Sequence, residues 1–430
     1  MTTTHDGTSD AREVQGTQGN ADIVDNSSTA DWSSKPTPRT ADEWLRRASE
    51  VAAILAADAV ERERANVTPH AEVALLKDSG LVTLLGPAEH GGGGQNWTTA
   101  YQVIREIASG DGSIGQLIGY HYLWAWAARL VATPAQIAAV EEQATRERWF
   151  YGGAVNPRDN DLRIVDNGDE LVFNGRKSFS TGSKVSDVTV LEGVLEGTDK
   201  HIFAIVPSKQ PGIQFGDDWD NLGQRLTESG SVTITDVRVP WEQAAGFVDK
   251  EFQPRTYNTL NVPLIQLVFT NFYLGIARGA LTTATAYTRD RTRPWPYGGD
   301  NKSSASEEFY ILDTYGDLQS KLWAAEALAD RAAEKIEAIN AHADTVTAAE
   351  RGEAAVVIAA AKQRAIEAGL DIGTRIFEVT GARASANSVG LDIFWRNIRT
   401  HSLHDPVAYK RVEVGRYALL GELPEPSWYT

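Results

Sequence analysis

The chain has 430 residues, 42% of them hydrophobic, enough to bury a large core and to form more than one domain. Its 58 acidic residues outnumber 41 lysines and arginines, and the net charge of −17 excludes non-specific binding to nucleic acid or to an anionic membrane surface, both of which need a basic face. With no cysteine present, disulfides, thiolate metal sites and cysteine nucleophiles are excluded as well.

Residues 1–40 are rich in Thr, Ser, Asp, Asn and Gly and lack both apolar periodicity and the basic and apolar regions of a leader, so they read as a disordered tail. Over 41–150 Trp44, Leu45, Ala48, Val51, Ala52 and Leu55 recur at spacings of three and four, which predicts a helical domain. Glu89-His90 followed by Gly91 to Gly94 reads as a flexible loop inside it. Over 151–248 the period changes to short β-branched runs, Val185 to Val194, Ile202 to Val206 and Ser231 to Val239, punctuated by Asp166-Asn167-Gly168-Asp169. This predicts a middle antiparallel, barrel-like β domain. From 249 to 430 long helical patterns return, over Leu264 to Arg289, Phe309 to Ile339 and Ala348 to Phe377, which predicts a helical bundle.

Helices, strands, then helices make an α+β chain, not the alternating order of a doubly wound sheet. No G-x-G-x-x-G follows a strand and no phosphate-binding loop carries its lysine, so the chain shows no nicotinamide or nucleoside triphosphate site of its own. The longest apolar run, Ala354 to Ala361, falls short of the roughly 18 residues of a membrane span. A soluble, cytoplasmic protein is expected.

The densest chemistry lies in the eleven residues Arg396 to Pro406, which hold His401, His404 and Asp405. Residues at i and i+3 share a helix face, so the two imidazoles can reach one ligand together. They could also be a structural pair on a helix face. A third possibility is a two-histidine, one-carboxylate metal site, which is disfavoured because neighbouring side chains diverge on a helix. The run Tyr120 to Trp126 supplies flat aromatic walls, although such a run also reads as core packing.

The three-zone layout, the stretch Asn174 to Gly182 assigned to a strand, and Asp236-Val237-Arg238-Val239-Pro240 resemble the acyl-CoA dehydrogenase fold. Gly119-Tyr120-His121, Arg293-Pro294-Trp295, Phe377 to Arg383, and Phe394-Trp395-Arg396 through Tyr409-Lys410 resemble, more narrowly, the dibenzothiophene monooxygenase group of flavin-dependent enzymes. The resemblance covers nearly everything from Ala41 onward. Where the dehydrogenases carry a catalytic glutamate, this chain reads His404-Asp405-Pro406-Val407, and their acidic stretch is replaced by Gly153 to Asp159, so acyl-CoA dehydrogenation is disfavoured.

The resemblance implies a two-component monooxygenase that takes reduced FMN, or FAD, from a separate NAD(P)H-dependent flavin reductase and forms a C4a-hydroperoxyflavin with O2. His401 and His404 would hold the distal peroxide oxygen and return a proton, with Asp405 either orienting a ring or capping the next helix. Thr181 would lie beside the flavin N5, Arg293 and Arg383 at its phosphate, and Gly153 near the ring. Tyr120, Gln116, His121 and Trp124 would line the aromatic substrate, Tyr120 foremost. Gln116, Gly153 and Thr181 stand where the group carries histidine, asparagine and serine, so the substrate can differ while the reaction stays. Sulfoxidation of a dibenzothiophene-like thioether is the first choice; hydroxylation of an indole-type ring, N-oxygenation, and a silent binding homologue are alternatives. A homotetramer with flavin sites near subunit boundaries is also implied.

Overall fold

In the computed structural model the described residues are 32–156, 158, 161–297, 301–427 and 429–430. Of the tail expected over 1–40, residues 1–31 lie outside them. Trp32–Ser34 make one turn of 3-10 helix, and Thr40 is part of the fold: its hydroxyl accepts the Glu43 N–H and the Glu43 carboxylate returns to the Thr40 N–H, a capping box that starts the first helix.

Among the described residues the first zone is built of the α-helices α1 (Ala41–Ala56), α2 (Ala59–Ala65), α3 (His70–Asp78), α4 (Trp97–Gly110), α5 (Gly112–Val131) and α6 (Pro134–Glu147). The glycine run between α3 and α4 is tied down, not loose. The N–H groups of Gly92, Gly93 and Gly94 donate to Pro87, Thr83 and Gly86 carbonyls at 2.9, 2.8 and 2.9 Å. Asp111 starts α5 by accepting the N–H groups of Ser113 and Ile114. Gly115 and Gly119 then let α5 close on its neighbours, since a Cβ there would come within 2.4 Å of Ala108 on α4 and 2.6 Å of Val268.

Nine strands follow among the described residues: β1 (Tyr151–Ala154), β2 (Arg163–Asp166), β3 (Glu170–Lys177), β4 (Val188–Leu195), β5 (His201–Pro207), β6 (Ile213–Phe215), β7 (Val232–Pro240), β8 (Phe247–Val248) and β9 (Glu251–Phe252). The main sheet runs β1-β4-β2-β3-β7-β6, with β5 also on β4. Most ladders are antiparallel, but β1 and β2 both pair with β4 in parallel, which corrects the expectation of a wholly antiparallel domain. The β2–β3 hairpin turns at Gly168, whose φ of 83° favours glycine. One face buries Leu171, Phe173, Leu191, Ile202 and Val237 in the domain's own core.

The last zone holds α7 (Asn261–Arg291), α8 (Phe309–Asn340), α9 (Ala348–Thr380), α10 (Asp392–His401) and α11 (Val407–Leu420). Another capping box, Thr347 with Glu350, starts α9. The helical segment Thr256–Arg291 is apolar and long enough to cross a membrane, yet 89% of its most apolar window is buried in the fold, so it serves as a core helix.

Candidate active site

A cavity of about 520 Å³ opens where α5, the start of α7, the end of α10 and the loops of the sheet meet. Gln116, Tyr120 and Trp124 line it from α5 because a spacing of four keeps them on one helix face. Phe179 and Thr181 enter from the loop after β3, not from the strand expected there; Phe179 takes a left-handed φ of 57° to make that turn.

His401 closes α10, and a turn whose His404 N–H donates to the His401 carbonyl at 3.0 Å brings the second ring alongside the first. The rings stack at 5.7 Å between centroids and 10° between planes. Both line the cavity. His401 sits between two phenols, with Nε2 3.2 Å from the Tyr120 hydroxyl and Nδ1 2.6 Å from the Tyr273 hydroxyl. Burial drives its pKa well below the ordinary histidine value, and the charges of His404 and Lys362 act the same way. It is therefore a neutral imidazole. Burial also raises the Tyr120 and Tyr273 hydroxyls, with the nearby Asp405 charge adding to it, so both phenols keep their protons.

His404 is anchored from behind. Its Nδ1 lies 3.2 Å from an Asp405 oxygen, and the Lys362 ammonium bonds to the same carboxylate. Lys362 is 1% exposed and Asp405 6%, so this ion pair is inside the protein. Burial pulls Lys362 down to about 8 despite Asp405. For Asp405 burial acts to raise the pKa, but the His404 hydrogen bond and the Lys362 charge outweigh it and hold the carboxyl well below its usual range. The helix-cap reading of Asp405 fails: Pro406 precedes α11 and no side chain caps it. The helix break after His401 lets His404 and Asp405 converge, and Lys362 occupies the carboxylate that a metal would need. Among the described residues no group of three or more His, Cys, Asp or Glu could hold a metal ion.

The cavity wall also carries unsatisfied polar atoms. Gln116 Oε1, Trp124 Nε1, Gln224 Nε2 and Thr400 Oγ1 are buried with no hydrogen-bond partner among the described residues, and all four residues face the cavity. Leaving such groups unpaired costs about 1–3 kcal/mol each, which a polar ligand would recover. Thr181 is already engaged by the Ser229 hydroxyl at 2.8 Å, which meets Thr227 at 2.7 Å.

Four expected residues stand elsewhere or act otherwise. His121 does not line the cavity. One residue past Tyr120, it points off the other side of α5, where Nε2 meets the Val82 carbonyl at 2.7 Å, Nδ1 accepts the Tyr151 N–H at 3.0 Å, and the ring stacks on Phe150. Burial lowers it to about 4, so it is a neutral joint between helix and sheet. Gly153 is covered by the Trp124 indole. Arg293 follows the far end of α7 while Ile265, near its start, lines the cavity, so the two lie roughly 40 Å apart at 1.5 Å per residue. Arg383 is held near Arg293 by the bond from Thr292 Oγ1 to the Thr380 carbonyl, 3.1 Å. Both arginines are exposed, neither has a carboxylate partner among the described residues, and neither reaches the cavity of its own chain.

Sequence reasoning missed Tyr273, Lys362, Gln224 and Tyr429. Lys362 carried a signal, because it continues the buried stripe of Ala355, Ile358 and Ile366 at helical spacing, and a charge on such a stripe implies a buried partner. Tyr429 returns from the last segment to line the cavity, its carbonyl accepting from Gln266 Nε2 at 3.0 Å. Nothing in the local pattern points to it.

Residues 41–146 match the acyl-CoA dehydrogenase N-terminal domain and 267–408 the C-terminal domain. The dibenzothiophene monooxygenase of Rhodococcus erythropolis is 38% identical over 387 residues, covering 86% of this chain and 92% of that protein. Methanesulfinate monooxygenase MsuC from Pseudomonas fluorescens superposes with a TM-score of 0.86 at 39% identity, over 90% of this chain and 99% of its own. TdsC from Paenibacillus sp. A11-2, in complex with FMN and indole, gives 0.85 at 38% identity, over 90% and 99%. The chain belongs to the acyl-CoA dehydrogenase superfamily, in the group that contains the dibenzothiophene monooxygenases.

Proposed function

We propose that this protein is the oxygenase of a two-component system, a flavin-dependent monooxygenase that uses reduced FMN and O2 to oxygenate a small aromatic heterocycle, with sulfoxidation of an aromatic thioether as its reaction. The observation that carries this reading is the convergence of His401, His404 and Tyr120 on a cavity whose wall holds four unpaired buried polar atoms. An isoalloxazine ring fits them, since its rim alternates carbonyl acceptors with ring nitrogens. Gln116, Gln224 and Thr400 would pair with that rim and Thr181 would stand beside it; bound reduced flavin supplies the oxygen activation.

The chain's own residues do the rest. Neutral His401, with both ring nitrogens taken up by Tyr120 and Tyr273, orients the cavity-lining Tyr120 hydroxyl without adding charge. Asp405 holds the Nδ1 proton of His404 and leaves Nε2 for the cavity, where it moves a proton to or from the reacting oxygen. Among the described residues no carboxylate lines the cavity, which argues against abstraction of a substrate α-proton as in the dehydrogenases. The FMN and indole bound to TdsC favour one further reading, hydroxylation of an indole-type ring by the same residues.

With Arg293 roughly 40 Å along α7 from the cavity-lining Ile265, and Arg383 on the segment tied to Thr292, their phosphate role calls for a second copy, as in a homotetramer with flavin at subunit boundaries. We further assign the enzyme to the cytoplasm, served by an NAD(P)H-dependent flavin reductase. The test is rapid mixing of protein and reduced FMN with oxygenated buffer. A long-lived absorbance distinct from oxidised flavin, lost in His404→Ala, supports the reading; flavin oxidation at the rate seen without protein rejects it.

A further inference from the structure

Trp124 and Gly153 are fitted to each other. Gly153 lies on β1 with an ordinary strand backbone, so no unusual φ calls for a glycine. A Cβ at this position would stand 2.3 Å from Trp124 Cε2, 2.4 Å from Nε1 and 2.7 Å from Cζ2. Those distances are far inside van der Waals contact, and the atoms belong to a rigid ring on a helix, not to the loose end of a long side chain. The indole is 5% exposed and its position is fixed on the other side by Tyr120, edge to face at 6.2 Å. It follows that the missing side chain at 153 is the condition for the indole's seat in the cavity wall.

We propose that Trp124, seated in the notch left by Gly153, is the specificity-determining residue of this cavity. Gln116, Tyr120 and Trp124 follow one another along α5, and Tyr120 is the member bonded to His401. Trp124 therefore blocks growth of a bound ring system along α5 beyond the Tyr120–His401 pair. A ring system that ends before Trp124, as the shorter benzothiophene does more readily than dibenzothiophene, is therefore favoured, and the glycine at 153 is what lets the indole sit there. This deepens the oxygenase reading and rests on it for the reaction alone, because ring binding is measured without turnover.

The experiment is equilibrium binding of benzothiophene and dibenzothiophene to the full chain without oxygen, together with thermal melting. Wild type and Trp124→Phe, which keeps a ring in the notch, are expected to favour benzothiophene. Trp124→Ala is expected to shift the affinity ratio toward dibenzothiophene by about tenfold or more. Gly153→Ala is expected to lower the melting temperature in wild type and to leave it unchanged when added to Trp124→Ala, since the clash is then gone. An unchanged ratio in Trp124→Ala, or an equal cost of Gly153→Ala with and without the indole, overturns the proposal. Loss of the oxygen-dependent flavin absorbance with these binding results intact would count against the oxygenase reading only.

Discussion

The Asp405 carboxylate is shared between the Lys362 ammonium and His404 Nδ1, so one buried anion both neutralises a core lysine and aims a ring into the cavity. Stability and reactivity are tied together at that atom.

Removing either side of the ion pair strands the other charge in the core. Lys362→Met and Asp405→Asn should each cost about 3–5 kcal/mol in denaturant unfolding. The double variant Lys362→Met/Asp405→Leu should recover most of that loss, because no charge is left unpaired. Additive losses in the double variant would contradict a coupled pair.

The same pair sets a pH dependence. Lys362 titrates at about 8 in the fold against 10.5 in the open chain, so between these values the unfolded state binds more protons. Its contribution to stability therefore rises with pH through that window, and the burial cost is fully present below about pH 8. Asp405 is lowered from 3.8, so its stabilisation is present above that value and is lost as pH falls further. In turnover, loss of the Lys362 proton removes the counter-charge of Asp405, and kcat should fall through about pH 8. Lys362→Met should show a lower kcat with no inflection there.

His401 depends on Tyr273 for its tautomer. Tyr273→Phe leaves Nδ1 unpaired in the core and should reduce turnover roughly 10- to 100-fold while FMN affinity holds. His404→Ala, which removes the cavity-facing acid–base group itself, should cost roughly 10²- to 10⁴-fold under the same assay. Equal, small effects in both variants would mean that the stacked rings are only structural.

Arg293→Ala and Arg383→Ala should each weaken FMN binding by about tenfold or more, as expected for a charged hydrogen bond to phosphate, with ring-substrate affinity unchanged. Because these side chains lie far from their own cavity, dilution to the single chain should weaken FMN in the same way. Sedimentation and flavin fluorescence on one dilution series would measure both; tight FMN binding by a single chain would refute the shared site.

Periodicity alone predicts the helix–strand–helix order: α7, α8 and α9 begin and end within about three residues of the apolar patterns that mark them, because long amphipathic repeats are a local property. The histidine pair was legible for the same reason, since three residues separate His401 from His404 and a single turn joins them. What sequence could not supply is every relationship between distant segments. Tyr273 bonds His401 across 128 positions and Lys362 reaches Asp405 across 43, while His121, one residue from Tyr120, turns to the opposite side of α5 and becomes a packing joint. The parallel β1–β4 and β2–β4 ladders were hidden likewise, because strand direction depends on how the chain crosses the sheet and not on the side chains of any one strand. Sequence determined the family and the reactive residue types; only tertiary packing decided which of them are buried, paired and turned toward one cavity, because proton affinity and hydrogen-bond geometry depend on neighbours that the chain brings together after folding.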